Sequence, residues 1–292
     1  MGLDIHCRSD LISIFNASHF MLRHYAKGYY PVSKHSMDHL PVNRMFFPLK
    51  NPNGAENFIE DSFCKYELIP GRMYFVPAFL PACFNLDSQL FFLSIQSSLE
   101  IFPGVELFSG CPRMLEIPAP PEFDDLMAIF DMSNPQMQYQ NAIRAGSLIH
   151  SMLGKMLVHY EPQDFWKPLA LRQYANLTDY LNRNGTALTS VADLASEMKM
   201  SRENFTRHFI ADTGITPKQL IDQFVIGRCM NLIQQGCPFK EIADRMHFRD
   251  VFAFSRYFTR NMGEPPRNWR VRWSSKCPSK ENGVQVIWTE PR

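Results

Sequence analysis

The chain has 292 residues, 45% hydrophobic and 20% charged, which is ordinary for a globular protein and enough for two domains that each bury a core. Its 30 basic and 29 acidic side chains give a net charge of +1, which excludes a strongly basic or strongly acidic protein. Basic residues are nevertheless in excess in 173–275, and acidic residues in 1–172. The C-terminal part therefore has, modestly, the sign of charge that nucleic-acid phosphates attract.

The sequence also argues against targeting segments and against a cysteine framework. The start, Met1–Asp4, lacks the basic region and apolar run of a signal peptide, and no stretch approaches the ~20 apolar residues of a spanning helix. An odd number of cysteines without a Cys-x-x-Cys pair favours reduced thiols. These are Cys7, Cys64, Cys83, Cys111, Cys229, Cys237 and Cys277. We therefore expect a cytoplasmic protein with no membrane partner.

Short apolar runs broken by turn residues predict β-strands between Pro41 and Gln96. The predicted strands are Met45–Leu49, Cys64–Leu68, Met73–Pro77 and Gln89–Ile95, with a turn at Asn51–Gly54 after the first. The order strand, Leu-x-Pro-Gly, strand, Val-Pro resembles the small cupin barrel at the front of many AraC-family regulators. This resemblance covers about residues 10–120. It implies a small effector, often a sugar, held in the mouth of the barrel.

Five polar or aromatic residues on or beside these strands are candidates for effector contacts, because a sugar pocket combines polar and aromatic side chains. They are Arg44, Lys50, Tyr66, Tyr74 and Phe84. The alternative is that the rings form the core and the charges point to solvent.

A metal-dependent enzyme is the alternative that a cupin-like domain raises. His35 and His39 are four apart, a spacing that suits a metal pair on a helix, but Pro31 and Pro41 bracket them and no third ligand is near in sequence. The segment after the Val-Pro strand lacks the His-x-His and Glu cluster of metal-using cupins, and no phosphate loop or nucleophile elbow is present. We predict no catalytic residue, metal or cofactor. A cupin enzyme with a DNA-binding appendage is the alternative function, which stoichiometric iron or zinc would support.

The apolar residues of 122–160 are spaced as in amphipathic helices. Their apolar stripes comprise Leu126, Ile129 and Phe130, and then Leu148, Ile149, Met152, Leu153, Met156 and Leu157. The stripes can pack on the barrel; by resemblance, this region is also where AraC-family regulators dimerise. Both uses remain open. Glu161–Asp164 is typical of a linker, and Pro168–Arg183 predicts the first helix of the next domain.

Residues 188–214 predict two helices joined by a tight turn. Thr189 or Ser190 can cap the first helix, which runs to Met198 and is followed by the turn Lys199-Met200. Ser201 caps the second helix, Arg202–Asp212, and Gly214 follows its end. Phe205 and Phe209 are four apart, so they share one face and should be buried. Glu203 and Arg207 lie on the opposite face. A helix of this kind is suited to enter a DNA major groove.

A second copy follows at a constant offset of about 49 residues. Phe239–Met246 is the predicted scaffold helix, and Asp250 caps Val251–Asn261, in which Phe254 and Phe258 are the buried pair. Between the copies, Thr216-Pro217 opens a long helix that reaches about Gln235 and ends at Gly236. This helix would hold the two reading helices about one DNA turn apart, ~34 Å.

The segment Leu188–Arg270 resembles the DNA-binding domain of the AraC/XylS transcription regulators. The matching residues are Ala195, Ser201, Phe205, Phe209, Gly214 and Pro217, and then Glu241-Ile242-Ala243, Phe248, Phe254-Ser255-Arg256, Phe258, Gly263 and Pro266. The resemblance implies that DNA is read by Arg202, Glu203, Thr206 and Arg207 in the first unit and by Val251, Phe252, Ser255 and Arg256 in the second.

Three residues depart from the family pattern. His247 replaces the usual Gly, so its turn must accept a strained geometry, and Val225 replaces an Arg that would anchor the long helix. Val251-Phe252 is apolar where small polar residues are common. This pair predicts either contacts with thymine methyl groups or a second unit that reads bases weakly.

Together these observations predict an α+β protein with four regions. They are an effector-binding and dimerisation domain at 1–160, a linker at 161–167, a double helix-turn-helix domain at 168–275 and a tail at 276–292. The resemblance implies an effector-responsive regulator, more an activator than a repressor, with double-stranded DNA, a carbohydrate effector, a second copy and RNA polymerase as partners. A DNA-repair protein can share this module, but it needs a cysteine cluster that this chain lacks.

Overall fold

A computed structural model describes residues 18–29, 33–38, 40–52, 56–102, 105–131, 137–165 and 173–274. Strands occupy the N-terminal part and helices the C-terminal part, which confirms the predicted α+β class. Within these ranges, no helix is both long and apolar enough to cross a membrane. The predicted tail, the second half of the predicted turn Asn51–Gly54 and His39 lie outside the described residues.

Ten strands lie within the described part of the N-terminal domain. They are β1 His19–Tyr29, β2 Ser33–Asp38, β3 Asn43–Lys50, β4 Phe58–Glu60, β5 Lys65–Glu67, β6 Arg72–Val76, β7 Ala82–Leu86, β8 Phe91–Phe102, β9 Val105–Glu106 and β10 Leu115–Pro118. One sheet has the order β1-β8-β3-β6-β10, with β9 paired to β8, and the other has the order β2-β7-β4-β5.

The core of this domain lies between the two sheets. Phe46 on β3, Tyr74 on β6 and Phe92 on β8 come from the first sheet, and Ile59 on β4 and Phe84 on β7 from the second. Each side chain is buried because successive residues of a strand point to opposite faces. The strands predicted near β3, β5 and β6 are confirmed, and β8 extends further than predicted.

His35 lies on β2, so it is on a strand and not on the helix that a four-residue spacing of metal ligands would need; His39 lies outside the described residues. Among the described residues, no group of three or more His, Cys, Asp or Glu side chains could hold a metal ion.

Two helices follow the strands, α1 Glu122–Asp131 and α2 Gln138–Met156. Leu126, Ile129 and Phe130 of the first predicted stripe are buried on α1. Of the second stripe, Ile149, Met152, Leu153 and Met156 are buried, and Leu148 and Leu157 are half-buried. The Tyr25 hydroxyl on β1 donates to the Leu126 carbonyl oxygen, and its ring meets Phe130 edge-on with 5.0 Å between centroids. The packing use of the stripes is therefore confirmed.

The helical part contains seven described helices. They are α3 Ala175–Asn184, α4 Val191–Glu197, α5 Arg202–Thr213, α6 Pro217–Gln234, α7 Phe239–Arg245, α8 Val251–Met262 and α9 Pro266–Ser274. The helix predicted from Pro168 begins in the structure at Ala175, and residues 166–172 lie outside the described ranges. The last helix, α9, was not predicted; it buries Trp269 completely.

Local signals set the ends of these helices. Ser190 and Asp193 form a capping box at α4, and Thr216 and Gln219 form another at α6, where Pro217 occupies the first turn. Gly214 ends α5 with φ 75°, a left-handed conformation that suits a residue without a Cβ.

Candidate nucleic-acid interface

The first helix-turn-helix unit consists of α4 and α5 joined by a tight turn. Lys199 adopts φ 54° in this turn, and the Met200 amide donates to the Ala195 carbonyl at 2.9 Å. Ser201 then starts α5, because its hydroxyl accepts a hydrogen bond from the Asn204 amide at 3.3 Å. The turn and the cap together fix the direction in which α5 leaves α4.

The inner side of α5 is aromatic. Phe205 and Phe209 are fully buried, and the Tyr174 ring packs on Phe209 with 5.0 Å between centroids. The Tyr174 hydroxyl donates to Asp212 at 2.9 Å. Burial and this bond to a carboxylate raise the pKa of Tyr174, so the phenol stays protonated and the contact is kept.

The outer side of α5 carries the predicted reading residues. Arg202, Glu203 and Arg207 are exposed, and Thr206 is half-buried. The Arg207 guanidinium donates to the Asn204 side-chain oxygen at 3.1 Å, a contact one turn back along the helix. This contact restricts the Arg207 side chain while it remains open to solvent, which lowers the entropy that a base contact would cost.

The second unit repeats the plan with α7 and α8. His247 adopts φ 56° in the turn, and the Phe248 amide donates to the Ala243 carbonyl at 2.8 Å, as Met200 does to Ala195 in the first unit. The Asp250 carboxylate accepts from the Ala253 amide at 2.6 Å and caps α8. The altered geometry predicted at His247 is thus a left-handed residue.

The buried side of α8 is also aromatic. Phe254 contacts the rings of Phe248 and Phe239, at 5.5 and 6.0 Å between centroids. Phe258 meets Trp269 of α9 edge-on at 6.1 Å. These contacts leave the opposite side of α8 outward.

That outer side differs in chemistry from its counterpart on α5. Arg256 is exposed, and Val251 and Ser255 are half-buried. Phe252 is 75% exposed, although a phenyl ring is normally withdrawn from water. At the repeat offset, Phe252 takes the place that Glu203 has on α5.

The long helix α6 is anchored at a residue that the sequence analysis did not single out. Val225, at the position of the missing arginine, is fully buried, whereas the Arg228 guanidinium donates to the Gly185 carbonyl at 2.7 Å. Residues three apart lie on the same side of a helix, so Arg228 anchors α6 about one turn beyond position 225, where the family pattern has its arginine. The Ala187 amide also donates to the Met246 carbonyl at 2.9 Å, which joins the start of the first unit to the scaffold helix of the second.

Three of the five effector candidates, Arg44, Tyr74 and Phe84, are buried in the sheet domain, and Tyr66 is half-buried against its core. The Arg44 guanidinium lies 4.9 Å from the centre of the Phe84 ring, and Tyr66 packs against Tyr74 at 6.2 Å between centroids. Burial and a hydrogen bond with Cys64 raise the pKa of Tyr66 to about 12, and burial also raises the pKa of Tyr74. Lys50, in contrast, is exposed at the end of β3.

Four polar residues on β8 are buried, Ser94, Gln96, Ser97 and Ser98, and the sequence pattern does not mark them as site residues. Ser94 and Gln96 alternate with the apolar Leu93 and Ile95, a pattern that predicts only a strand. Their significance depends on the register of β8 against β3, which the sequence pattern does not give.

Comparisons with known proteins address the helical part and the fold separately. Residues 194–272 match the family described as "Helix-turn-helix domain". An Escherichia coli K12 protein described as the uncharacterized HTH-type transcriptional regulator YidL is 33% identical over 96 residues, which are 32% of this chain and 32% of that protein. The match therefore spans about a third of that relative.

Solved structures of ToxT from Vibrio cholerae share the fold over most of the chain. ToxT of strain O395 superposes with a TM-score of 0.57 at 14% identity, covering 89% of this chain and 99% of that one. ToxT of strain SCE256 with bound unsaturated fatty acid gives 0.56 at 14% identity, covering 86% and 95%. At this identity the likeness concerns the fold.

Proposed function

We propose that the chain is a sequence-specific transcription regulator that reads DNA through α5 and α8, because residues 194–272 match the family described as "Helix-turn-helix domain" and their sequence resembles the DNA-binding domain of the AraC/XylS regulators. One observation carries this proposal. Each of the two helices buries a pair of phenylalanines on one side and exposes an arginine on the other. An exposed arginine on such a helix can donate two hydrogen bonds to a guanine edge in the major groove.

In this proposal Arg202, Glu203, Thr206 and Arg207 read one half of the site, and Val251, Phe252, Ser255 and Arg256 read the other. The excess of basic residues in 173–275 supplies phosphate contacts, which position the domain without reading bases. The separation of the two helices by about one DNA turn, ~34 Å, stays a prediction.

The sheet domain binds the effector that regulates the protein. A sugar or related metabolite is the class that the family resemblance implies. ToxT has been solved with an unsaturated fatty acid and with (E)-4-(8-methylnaphthalen-1-yl)but-3-enoic acid, both of them carboxylic acids. Effector binding would favour one presentation of the DNA-binding domains over another in a cytoplasmic homodimer that activates transcription with RNA polymerase.

Replacing Arg207 by Ala tests the proposal at one base pair. A DNA site is first selected from random duplexes with the wild-type protein, and affinities are then measured on that site and on each of its point variants. We expect Arg207→Ala to cost ~1–3 kcal/mol of specific binding and to relax the preference at one base pair.

The matched control is Arg183→Ala. Arg183 is an exposed arginine on α3 whose Nε donates to the Asp179 carbonyl one turn back, so this variant removes the same charge from outside the reading helices. It should leave base preference intact. Unchanged affinity and selectivity in Arg207→Ala would show that this residue does not read DNA.

A further inference from the structure

A strip of polar side chains lies inside the sheet domain on two paired strands. Arg44 on β3 is directly opposite Gln96 on β8, and Phe46 is directly opposite Ser94. Paired residues of antiparallel strands project from the same face of the sheet. Phe46 and Phe92 on this face belong to the core, so Arg44, Ser94 and Gln96 project toward the core as well.

These three side chains are almost completely withdrawn from solvent. Arg44 is 1% exposed, Ser94 1% and Gln96 3%. Among the described residues, the Ser94 hydroxyl oxygen and the Gln96 side-chain oxygen have no hydrogen-bond partner. Buried polar atoms are normally satisfied, because leaving one unpaired is costly. Two such atoms on one face therefore indicate a bound molecule that forms hydrogen bonds with them.

The charge of Arg44 determines which kind of molecule fits. Its Nη2 donates to the Leu80 carbonyl at 3.4 Å, and its Cζ lies 4.9 Å from the centre of the Phe84 ring. A guanidinium remains charged at all ordinary pH values, and its fork of N–H donors matches the two oxygens of a carboxylate. A cation inside an apolar core favours an anionic ligand over a neutral one.

The oxygen of Gln96 adds a second requirement. This oxygen accepts hydrogen bonds, so the ligand needs a donor group to bond to it. The Ser94 hydroxyl can donate or accept. Beside these polar groups lie three rings, Phe46 with Phe84 and Phe92, at 5.5 and 5.7 Å between centroids. They offer an apolar surface to the rest of a ligand.

We propose that Arg44, Ser94 and Gln96 bind the head group of a small hydroxy acid, with its carboxylate on Arg44, its hydroxyl on Gln96 and Ser94, and an apolar body against Phe46, Phe84 and Phe92. This inference rests on the proposed effector site and specifies the chemical class that the site takes. The proposed effector is therefore an acid and not the neutral sugar that the family resemblance implies.

Thermal unfolding of the full chain with four probes tests the proposal. The probes are 3-phenyllactate, 3-phenylpropanoate without the hydroxyl, 3-phenyllactamide without the charge, and glucose. Because a ligand of the folded state raises the transition temperature by mass action, the shift at matched concentrations ranks their affinities. Phenyllactate should bind best, phenylpropanoate about fivefold more weakly, and phenyllactamide about 10- to 100-fold more weakly.

Variants assign the effect to the named residues. Gln96→Leu should abolish the advantage of phenyllactate over phenylpropanoate, and Arg44→Met should abolish the advantage of phenyllactate over phenyllactamide. Arg113→Met is the control, because it removes a positive charge from an exposed position between β9 and β10 of the same domain. It should leave every shift unchanged. If Arg44→Met does not fold, the Gln96→Leu variant and the three phenyl probes decide the question.

Each contrary outcome is distinct from a failure of the proposed function. A stronger response to glucose or phenyllactamide than to the acids would overturn the hydroxy-acid class while leaving an effector site in place. No shift with any probe would overturn it in favour of bound water at Ser94 and Gln96. Binding of the ligand-free protein to its selected DNA site, measured in parallel, tests the DNA-reading function by itself.

Discussion

Phe252 is the side chain that most distinguishes the two reading helices. It is 75% exposed on α8, where the repeat places Glu203 on α5. A carboxylate can accept a hydrogen bond from the cytosine amino group, whereas a phenyl ring offers only apolar contact, for which the thymine methyl is the partner in the major groove. We therefore expect the second unit to read at least one thymine.

Replacing thymine by uracil in the half-site of α8 removes the methyl group and nothing else. If Phe252 contacts it, binding should weaken by ~0.8 kcal/mol per methyl, about fourfold. Equilibrium binding to substituted duplexes measures this. In Phe252→Ala the same substitution should have no effect, and uracil in the half-site of α5 serves as the control. Equal affinity of the wild-type protein for the thymine and uracil duplexes would assign Phe252 to another surface.

Single residues also show where sequence reasoning reaches its limit. Phe205 and Phe209 were predictable, because four-residue spacing in a helix determines a face without tertiary information. Arg44 and Phe84 are candidates from the sequence, but they lie on strands of different sheets, so their contact depends on how the two sheets pack together. Ser94 and Gln96 have no distinguishing pattern, and only the register against β3 reveals that they share a face with Arg44.

Among the elements, those with local start and stop signals were predicted and those set by packing were not. The caps Ser190, Ser201 and Thr216 lie where the sequence indicates, since capping involves neighbours in the chain. The helix α9 was missed, although Pro266 occupies its first turn. This helix is held by Trp269, which packs on Phe258 of α8. The two residues are eleven apart in the sequence, so a pattern of neighbouring residues does not show their contact.

The two tight turns share a strained residue. Lys199 and His247 occupy equivalent places before Met200 and Phe248 and have φ 54° and 56°. A left-handed conformation costs a residue with a side chain about 1–2 kcal/mol, and the greater freedom of unfolded Gly offsets roughly 0.4–1 kcal/mol of any gain. The turn geometry therefore favours Gly at both positions by a small margin.

We expect His247→Gly and Lys199→Gly each to raise the free energy of unfolding by about 0.5–1 kcal/mol. Denaturant unfolding of each variant measures the change. Arg249→Gly is the control two residues beyond His247; it is not among the described residues with positive φ, so glycine there should lower stability. A loss of stability in both turn variants would mean that the two side chains make contacts that outweigh the strain.

The sequence leaves open whether the helices of 122–160 pack inward or join two copies. On α2, buried and exposed apolar side chains occupy different positions. Ile149 and Met152 are buried on one face, while Tyr139 and Ile143 near the start of the helix are 89% and 71% exposed. The inward stripe accounts for packing, so we predict that the exposed residues of α2 form the contact between two copies.

Ile143→Asp tests this assignment. In a twofold interface each copy loses a buried side chain worth about 1.5–3 kcal/mol, so the dissociation constant should rise about 100-fold or more. Sedimentation equilibrium measures the change, and the far-ultraviolet spectrum should remain that of the wild type because the Ile143 side chain is 71% exposed. Phe63→Asp is the matched control: Phe63 is 70% exposed between β4 and β5, far along the chain from α2. If Ile143→Asp stays dimeric, or if both variants dissociate alike, the interface does not lie on this face of α2.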